Sequence, residues 1–341
     1  MRHRRREPAP GVFRLVLPLP FPGLDRVNAY LLHDEEGSFL VDCGMWDPNA
    51  DDGGFGELKA AVAETGHSLE DIKVLIITHA HIDHFGMAGR VVEEVGCELW
   101  MHQGARDQLA MYGDPDTVSE EMRAMLADHG ASSDEIGELT AFEDWRPFVH
   151  SLSGATRWLK GDETFDAGGR TWAVTHTPGH DVAHICLWSA EDRILISGDT
   201  LLGSVTPHID FRRGDDNPLG AYLASLATIE ALEPALVLPG HGRPFEEGAE
   251  RARVTARHHD RRLGAIVQVV RHEPHTASEI TDEIFGDTLL NFQRRLAFGE
   301  ALAHLAYLRL NGEVERFESE DEDKRFQYRK KSRRTKDDGD R

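Results

Sequence analysis

A chain of 341 residues with 40% hydrophobic content is long enough to bury one large core and a second, smaller one. Its formal net charge of −22 works against broad association with nucleic-acid backbones or anionic lipid surfaces. No apolar run approaches the roughly 18 residues of a membrane span, and no apolar segment follows the basic start Met1–Glu7, so neither an anchor nor an export signal is expected and the expected compartment is the cytoplasm. Cys43, Cys97 and Cys186 lie far apart inside apolar segments and read as buried free thiols.

In chain order, residues 1–10 read as disordered. Val12–Leu17, Val27–Leu32 and Ser38–Val41 then give three strands close enough together for an antiparallel meander. A helical pattern over Gly56–Thr65 leads to the apolar strand Lys73–Ile77, a helix over Gly86–Val95 and a short strand Cys97–Met101. Strands alternating with helices argue for sheets covered by helices, an α/β architecture. From about residue 103 to 160 the pattern becomes helical, with helices over Glu120–His129 and Ser133–Phe142. Such an insertion is expected to serve as a lid or substrate-pocket wall.

Strands resume at Glu163–Phe165, Thr171–Thr175, Ala183–Trp188 and Arg193–Ser197. A helix with proline in its first turn follows over Pro218–Leu232, then the strand Ala235–Leu238. Beyond Phe245, a long helix over Arg251–Arg271, a capped start near Thr276–Glu279, a helix over Phe292–Leu310 and a strand after Asn311-Gly312 describe a small winged-helix module over 246–318. The remainder, 319–341, passes from acidic to basic and reads as a solvated, disordered tail.

The polar residues at strand ends carry the chemistry. Lys73–Ile77 runs into Thr78-His79-Ala80-His81-Ile82-Asp83-His84, three imidazoles and a carboxylate that a buried core cannot use unless each finds a partner. A borderline cation supplies those partners and makes a bound water acidic enough to serve as nucleophile near neutral pH. His176 and His180 in His-Thr-Pro-Gly-His, Asp199 in Ser-Gly-Asp-Thr and His241 in Pro-Gly-His-Gly stand at other strand ends, where proline and glycine turn the chain back over the sheet edge. Together they offer enough ligands for two ions. His258 and His259 read as helix-surface residues, and His184 and His208 carry no assigned role.

This pattern, HxHxDH followed at long intervals by His, Asp and His, resembles the metallo-β-lactamase-fold hydrolases over about residues 12–245. The resemblance implies an αββα sandwich as the catalytic domain, 11–245. It further implies one ion held by His79, His81 and His180, a second by Asp83, His84 and His241, Asp199 bridging both, and Asp42 supporting the ligand histidines from behind. The ions are expected to be two divalent cations, zinc first, with iron or manganese as alternatives. The implied reaction is hydrolysis by a hydroxide held between the metals, with Asp83 accepting its hydrogen bond and relaying the proton to the leaving group.

A carboxylate at Asp199 matches the thioesterase, lactonase and nuclease branches of the family, so the expected substrate is a small ester, thioester or lactone. The C-terminal module resembles a lactamase-like group with a winged helix that includes a single-strand endoribonuclease. RNA, approached through Arg294, Arg295 and Arg309, is therefore a second candidate partner. A packing or homodimer role is the other reading of the module, and a mononuclear-iron persulfide dioxygenase is a third candidate chemistry.

Overall fold

The computed structural model describes residues 6–331 except 22, 142–144, 213 and 321–323. The expected meander is present: β1 (Val12–Phe21), β2 (Leu24–Asp34) and β3 (Gly37–Val41) pair antiparallel in sequence order. Val27–Leu32 is buried throughout, as a strand covered on both faces must be. Parallel pairing needs a crossover, which α1 (Phe55–Ala63) supplies before β4 (Ile72–Ile76). The next crossover is broken at the histidine loop into α2 (Ile82–Phe85) and α3 (Ala88–Val95), and leads to β5 (Glu98–His102).

The helical stretch comprises α4 (Ala105–Gly113), α5 (Pro115–Asp128) and α6 (Ser133–Leu139). It ends in β6 (Arg157–Leu159), the sixth strand of the first sheet. The second sheet holds β7 (Thr164–Ala167), β8 (Arg170–His176), β9 (Ile185–Ser189), β10 (Ile194–Gly198), β11 (Leu236–Pro239) and β12 (Phe245–Glu246). Its one parallel pair, β10 with β11, is joined through α7 (Pro218–Leu232).

Residues of both sheets share one apolar cluster, with Tyr30, Val41, Ile76 and Trp100 meeting Trp172, Ile185, Ile196 and Leu238. Phe39 of the first sheet stacks on Phe165 of the second at 5.5 Å. A second cluster packs α1, α2 and α3 on the outer face of the first sheet. This is the α/β sandwich expected. All three cysteines are free and buried, and no helix among the described residues is long and apolar enough to cross a membrane.

The chain divides into two units. One contains Met1–Ser119, Phe142–Ile209 and Gly220–Ala256; the other contains Glu120–Ala141, Asp210–Leu219 and Arg257–Arg341. In the second lie most of α8 (Gly248–Val269), α9 (Ala277–Phe285), α10 (Asn291–Leu310) and a hairpin of β13 (Val314–Glu318) with β14 (Phe326–Lys330). Thr276 caps α9, with its hydroxyl accepting from the Glu279 amide while the Glu279 carboxylate accepts from the Thr276 amide. Helices followed by a strand pair give a winged-helix-like module.

Four expectations differ from what is seen. The helical stretch is not one insertion, because Glu120–Ala141 belongs to the C-terminal unit: Arg294 pairs with Glu135 at 2.7 Å and the Ala277 amide donates to the His129 carbonyl at 3.1 Å. The tail is not all disordered, since Phe326–Lys330 completes a hairpin whose Tyr328 is buried; residues 332–341, like 1–5, lie outside the described residues. His259 is fully buried, falling on the stripe of Ala252, Thr255, Leu263 and Ile266 along the inner face of α8. Arg294 and Arg295 do not form a basic face on α10: Arg294 meets Glu135 and Asp282, and the buried Arg295 lies 3.3 Å from Asp210.

Candidate metal centre

The two parallel segments explain why the polar residues meet. β3 and β4 run side by side and end at Asp42 and at the His79–His84 loop, while β10 and β11 end at Asp199 and His241. The loop after β8 adds His180. Backbone bonds join these ends across the two sheets: Ile185 N–H donates to Thr78 O at 2.8 Å and Asn28 N–H to Gly240 O at 2.7 Å.

All seven expected ligands fall in one region. Donor atoms of His79, His81 and His180 lie within 4.8 Å of one another, as do those of His79, His84 and Asp199, and those of Asp83, His84 and His241. Asp199 links the groups, with Oδ1 3.5 Å from His84 Nε2 and Oδ2 3.3 Å from His241 Nε2 and 3.8 Å from His180 Nε2. Asp83 Oδ2 stands 3.1 Å from His241 Nε2. His79, His84, Asp199 and His241 are buried, whereas His81, Asp83 and His180 are partly open, so solvent reaches the cluster from their side.

The imidazoles are oriented from behind. His84 Nδ1 contacts Asp42 Oδ2 at 2.8 Å, His180 Nδ1 the His208 carbonyl at 2.7 Å, and His241 Nδ1 the Arg26 carbonyl at 2.8 Å. Oxygen acceptors at Nδ1 fix a proton there and turn each Nε2 inward, where it becomes a ligand once any proton on it gives way to an ion, the arrangement metal-ligating histidines require. Asp42 also accepts from Thr78 N–H at 2.8 Å and Thr78 Oγ1 at 2.9 Å, with its backbone in the left-handed region at φ 60°.

Whether a cation suits these residues is answered by their inner atoms. His84 Nε2, His180 Nε2 and Asp199 Oδ1 are buried without a hydrogen-bond partner among the described residues, at a cost of about 1–3 kcal/mol each. All three belong to the same cluster, so two divalent cations would relieve the cost. Electrostatics agrees. Burial lowers the pKa of His84 and His241, yet Asp199 and Asp83 outweigh it and hold both high, His241 at about 10. Burial and the neighbouring imidazoles hold His79 well below its ordinary value. The pocket thus attracts positive charge at its carboxylate side and offers neutral nitrogen at the other, a donor set suited to divalent metal binding.

Space is equally restrictive. A Cβ at Gly240 would stand 2.2 Å from Asp199 Oδ1 and 2.7 Å from His84 Cε1, so this turn admits only glycine. At Gly179, φ is 132° and a Cβ would come within 2.4 Å of the Tyr222 backbone, which explains the Pro-Gly before His180.

Several supporting residues have no local sequence signal. His184 Nε2 accepts from the Asp199 amide at 3.0 Å, with Thr177 and Thr200 hydroxyls 3.0 and 2.9 Å from its Nδ1. Asp181 lies 3.7 Å from His81 Nε2, and the Asn28 amide donates to the Pro239 and Gly242 carbonyls, clamping the His241 loop. His176 stays outside the cluster: its Nε2 lies 2.9 Å from the Val182 carbonyl and its ring stacks on His102 at 4.0 Å.

Similarity to known proteins follows the same lines. Residues 22–241 match the metallo-beta-lactamase superfamily, and residues 263–329 match a metallo-beta-lactamase-like C-terminal domain. A metallo-beta-lactamase family protein from Thermus thermophilus superposes with a TM-score of 0.80 at 30% identity, covering 95% of this chain and 99% of that one. A beta-lactamase domain protein from Burkholderia ambifaria gives 0.75 at 31% identity, with coverage of 95% and 94%. The beta-lactamase-like protein 2 homolog of Caenorhabditis elegans is 26% identical over 274 residues, 80% of this chain and 74% of its own length. A sandwich whose two sheets deliver paired His/Asp clusters to one edge, matched over most of its length in this way, belongs to the metallo-beta-lactamase superfamily and is a metal-dependent hydrolase with a lactamase-like C-terminal domain.

Proposed function

We propose that this chain hydrolyses a small ester, thioester or lactone. His79, His81 and His180 would hold one divalent ion and Asp83, His84 and His241 a second, with Asp199 within reach of both groups. The observation that carries this reading is the position of Asp199, whose two oxygens reach toward histidines of both groups. Bound there, two such ions, zinc in the first instance, would supply Lewis acidity for a substrate carbonyl and make a water acidic enough to serve as nucleophile.

The remaining work falls to the side chains. Asp42 holds His84 by its Nδ1, and the Arg26 and His208 carbonyls hold His241 and His180, so the inner nitrogens need no reorientation during turnover. Asp83 sits on the open side of the cluster. Its burial is outweighed by His84 and His241, which bring its pKa to about 2, so Oδ2 is an anionic acceptor able to orient the attacking water and pass its proton to the leaving oxygen or sulfur. Arg294 and Arg295 are engaged in ion pairs and the chain is strongly acidic, which favours a small-molecule substrate over RNA.

The test is a panel of an aryl ester, an acyl-thioester, a lactone, an aryl phosphodiester and single-stranded RNA, run with metal-loaded protein and with Asp199→Asn. Turnover of the acyl substrates, lost in the variant, is expected. Turnover confined to the phosphodiester or RNA, or an acyl activity indifferent to chelator, would overturn the reading.

A further inference from the structure

We infer that His259, Glu300 and His304 form a second, separate site for one borderline divalent cation, zinc in the first instance, within the C-terminal unit. None of the three belongs to the centre described above, and the inference is independent of which bond that centre cleaves.

The geometry begins with helix periodicity. Glu300 and His304 are four residues apart on α10 and so lie on one face, one turn from each other. His259 comes from α8, and donor atoms of all three lie within 4.8 Å of one another. The closest approach, His259 Nδ1 to His304 Nε2, is 3.1 Å. Two nitrogens bound to one tetrahedral zinc at about 2.0–2.1 Å stand roughly 3.3 Å apart, so these two imidazoles need to part by only a few tenths of an ångström to share an ion, with the Glu300 carboxylate within 4.8 Å to close on it.

The surroundings are those of a ligand set. His304 Nδ1 lies 2.7 Å from the Glu300 carbonyl oxygen; a carbonyl only accepts, so the proton sits on Nδ1 and the Nε2 lone pair faces His259. Arg262 pairs with Glu300 through one carboxylate oxygen, and a carboxylate retains acceptor capacity beyond that contact. His259 and His304 are fully buried and Glu300 nearly so. The three polar groups lie mid-helix among residues that also bury Leu263 and Ile266 on α8 and Ala301 and Leu305 on α10, positions of the kind aliphatic side chains otherwise fill.

A direct histidine–histidine hydrogen bond would satisfy the same distance, and the two arrangements differ in where a proton sits. Without an ion, His259 Nδ1 must carry the hydrogen that His304 Nε2 accepts. With one, Nδ1 is a ligand and the hydrogen moves to Nε2.

Metal content of the full-length chain, equilibrated in zinc-buffered solution, is to be compared among the native protein, His259→Gln and His304→Gln. Each variant is expected to carry one equivalent fewer while hydrolysing substrate at the native rate. Imidazole nitrogen NMR of the native chain gives a readout free of any folding defect. As zinc is added beyond the amount that fills the catalytic centre, the His259 hydrogen is expected to transfer from Nδ1 to Nε2. Equal metal content in all three proteins, or a His259 tautomer indifferent to zinc, would overturn the assignment.

Discussion

Replacing Asp42 by asparagine removes a charge while leaving shape and backbone almost untouched. Asp42 sits at φ 60°, in the left-handed region that asparagine also tolerates, so the substitution adds little of the strain an alanine would bring. The buried carboxylate accepts from Thr78 N–H, Thr78 Oγ1 and, at 2.8 Å, His84 Nδ1. Asparagine keeps one acceptor oxygen and places an NH2 group where the second stood, so one contact to the charged group is lost, worth about 1.5–3 kcal/mol. A loss near 2 kcal/mol corresponds to roughly 30-fold, within the about 10- to 100-fold that partners of ligand histidines contribute to metal affinity. Competition between the chain and a fluorescent zinc chelator measures this directly. An affinity for Asp42→Asn within about threefold of native, with an unchanged circular dichroism spectrum, would refute the claim that Asp42 sets the orientation of His84.

Asp199→Asn is expected to lower the metal content of the centre and to reduce turnover by at least about a thousandfold, since several kcal/mol of transition-state stabilisation would pass through ions held at both groups it reaches; inductively coupled plasma analysis beside an ester assay checks both. Gly240→Ala forces a methyl group against Asp199 and His84, and should cost about 1–3 kcal/mol in urea unfolding and most of the activity while leaving secondary structure intact. Stability should also depend on pH through His129, whose burial and nearby Arg316 and Arg309 lower its pKa from 6.5 to about 3. Below pH 6.5 the unfolded chain takes up a proton that the folded chain refuses until about pH 3, so stability falls with pH across that window, by at most about 1.4 kcal/mol per unit from this group. Urea midpoints at pH 5 and pH 7 should therefore differ less in His129→Gln than in the native chain.

The centre is legible in the sequence because its residues break a local rule. Histidines and aspartates at the ends of apolar strands contradict burial unless something binds them, and four of the five such interruptions fall where parallel strands must end together, the fifth, His180, following the antiparallel β8. The supports are not legible, since His184, Asp181 and Asn28 act across loops and the oxygens holding His180 and His241 are backbone carbonyls, which any residue supplies. The arginines of α10 mislead for a related reason: composition records their charge, but Glu135 and Asp210, far away in sequence, neutralise it. His259 follows a readable stripe, yet its ring gives no sign of the partner on α10.

The candidate ligands come from both layers of the sandwich, with His79 and His84 from one and Asp199 and His241 from the other. An ion at their junction therefore acts as a rivet: filling it and holding the two layers shut are one equilibrium, and each tenfold excess of free ion over its dissociation constant tightens the seam by about 1.4 kcal/mol. Removing the ions would then lower stability as well as activity, with the loss centred on the edge where the two layers meet.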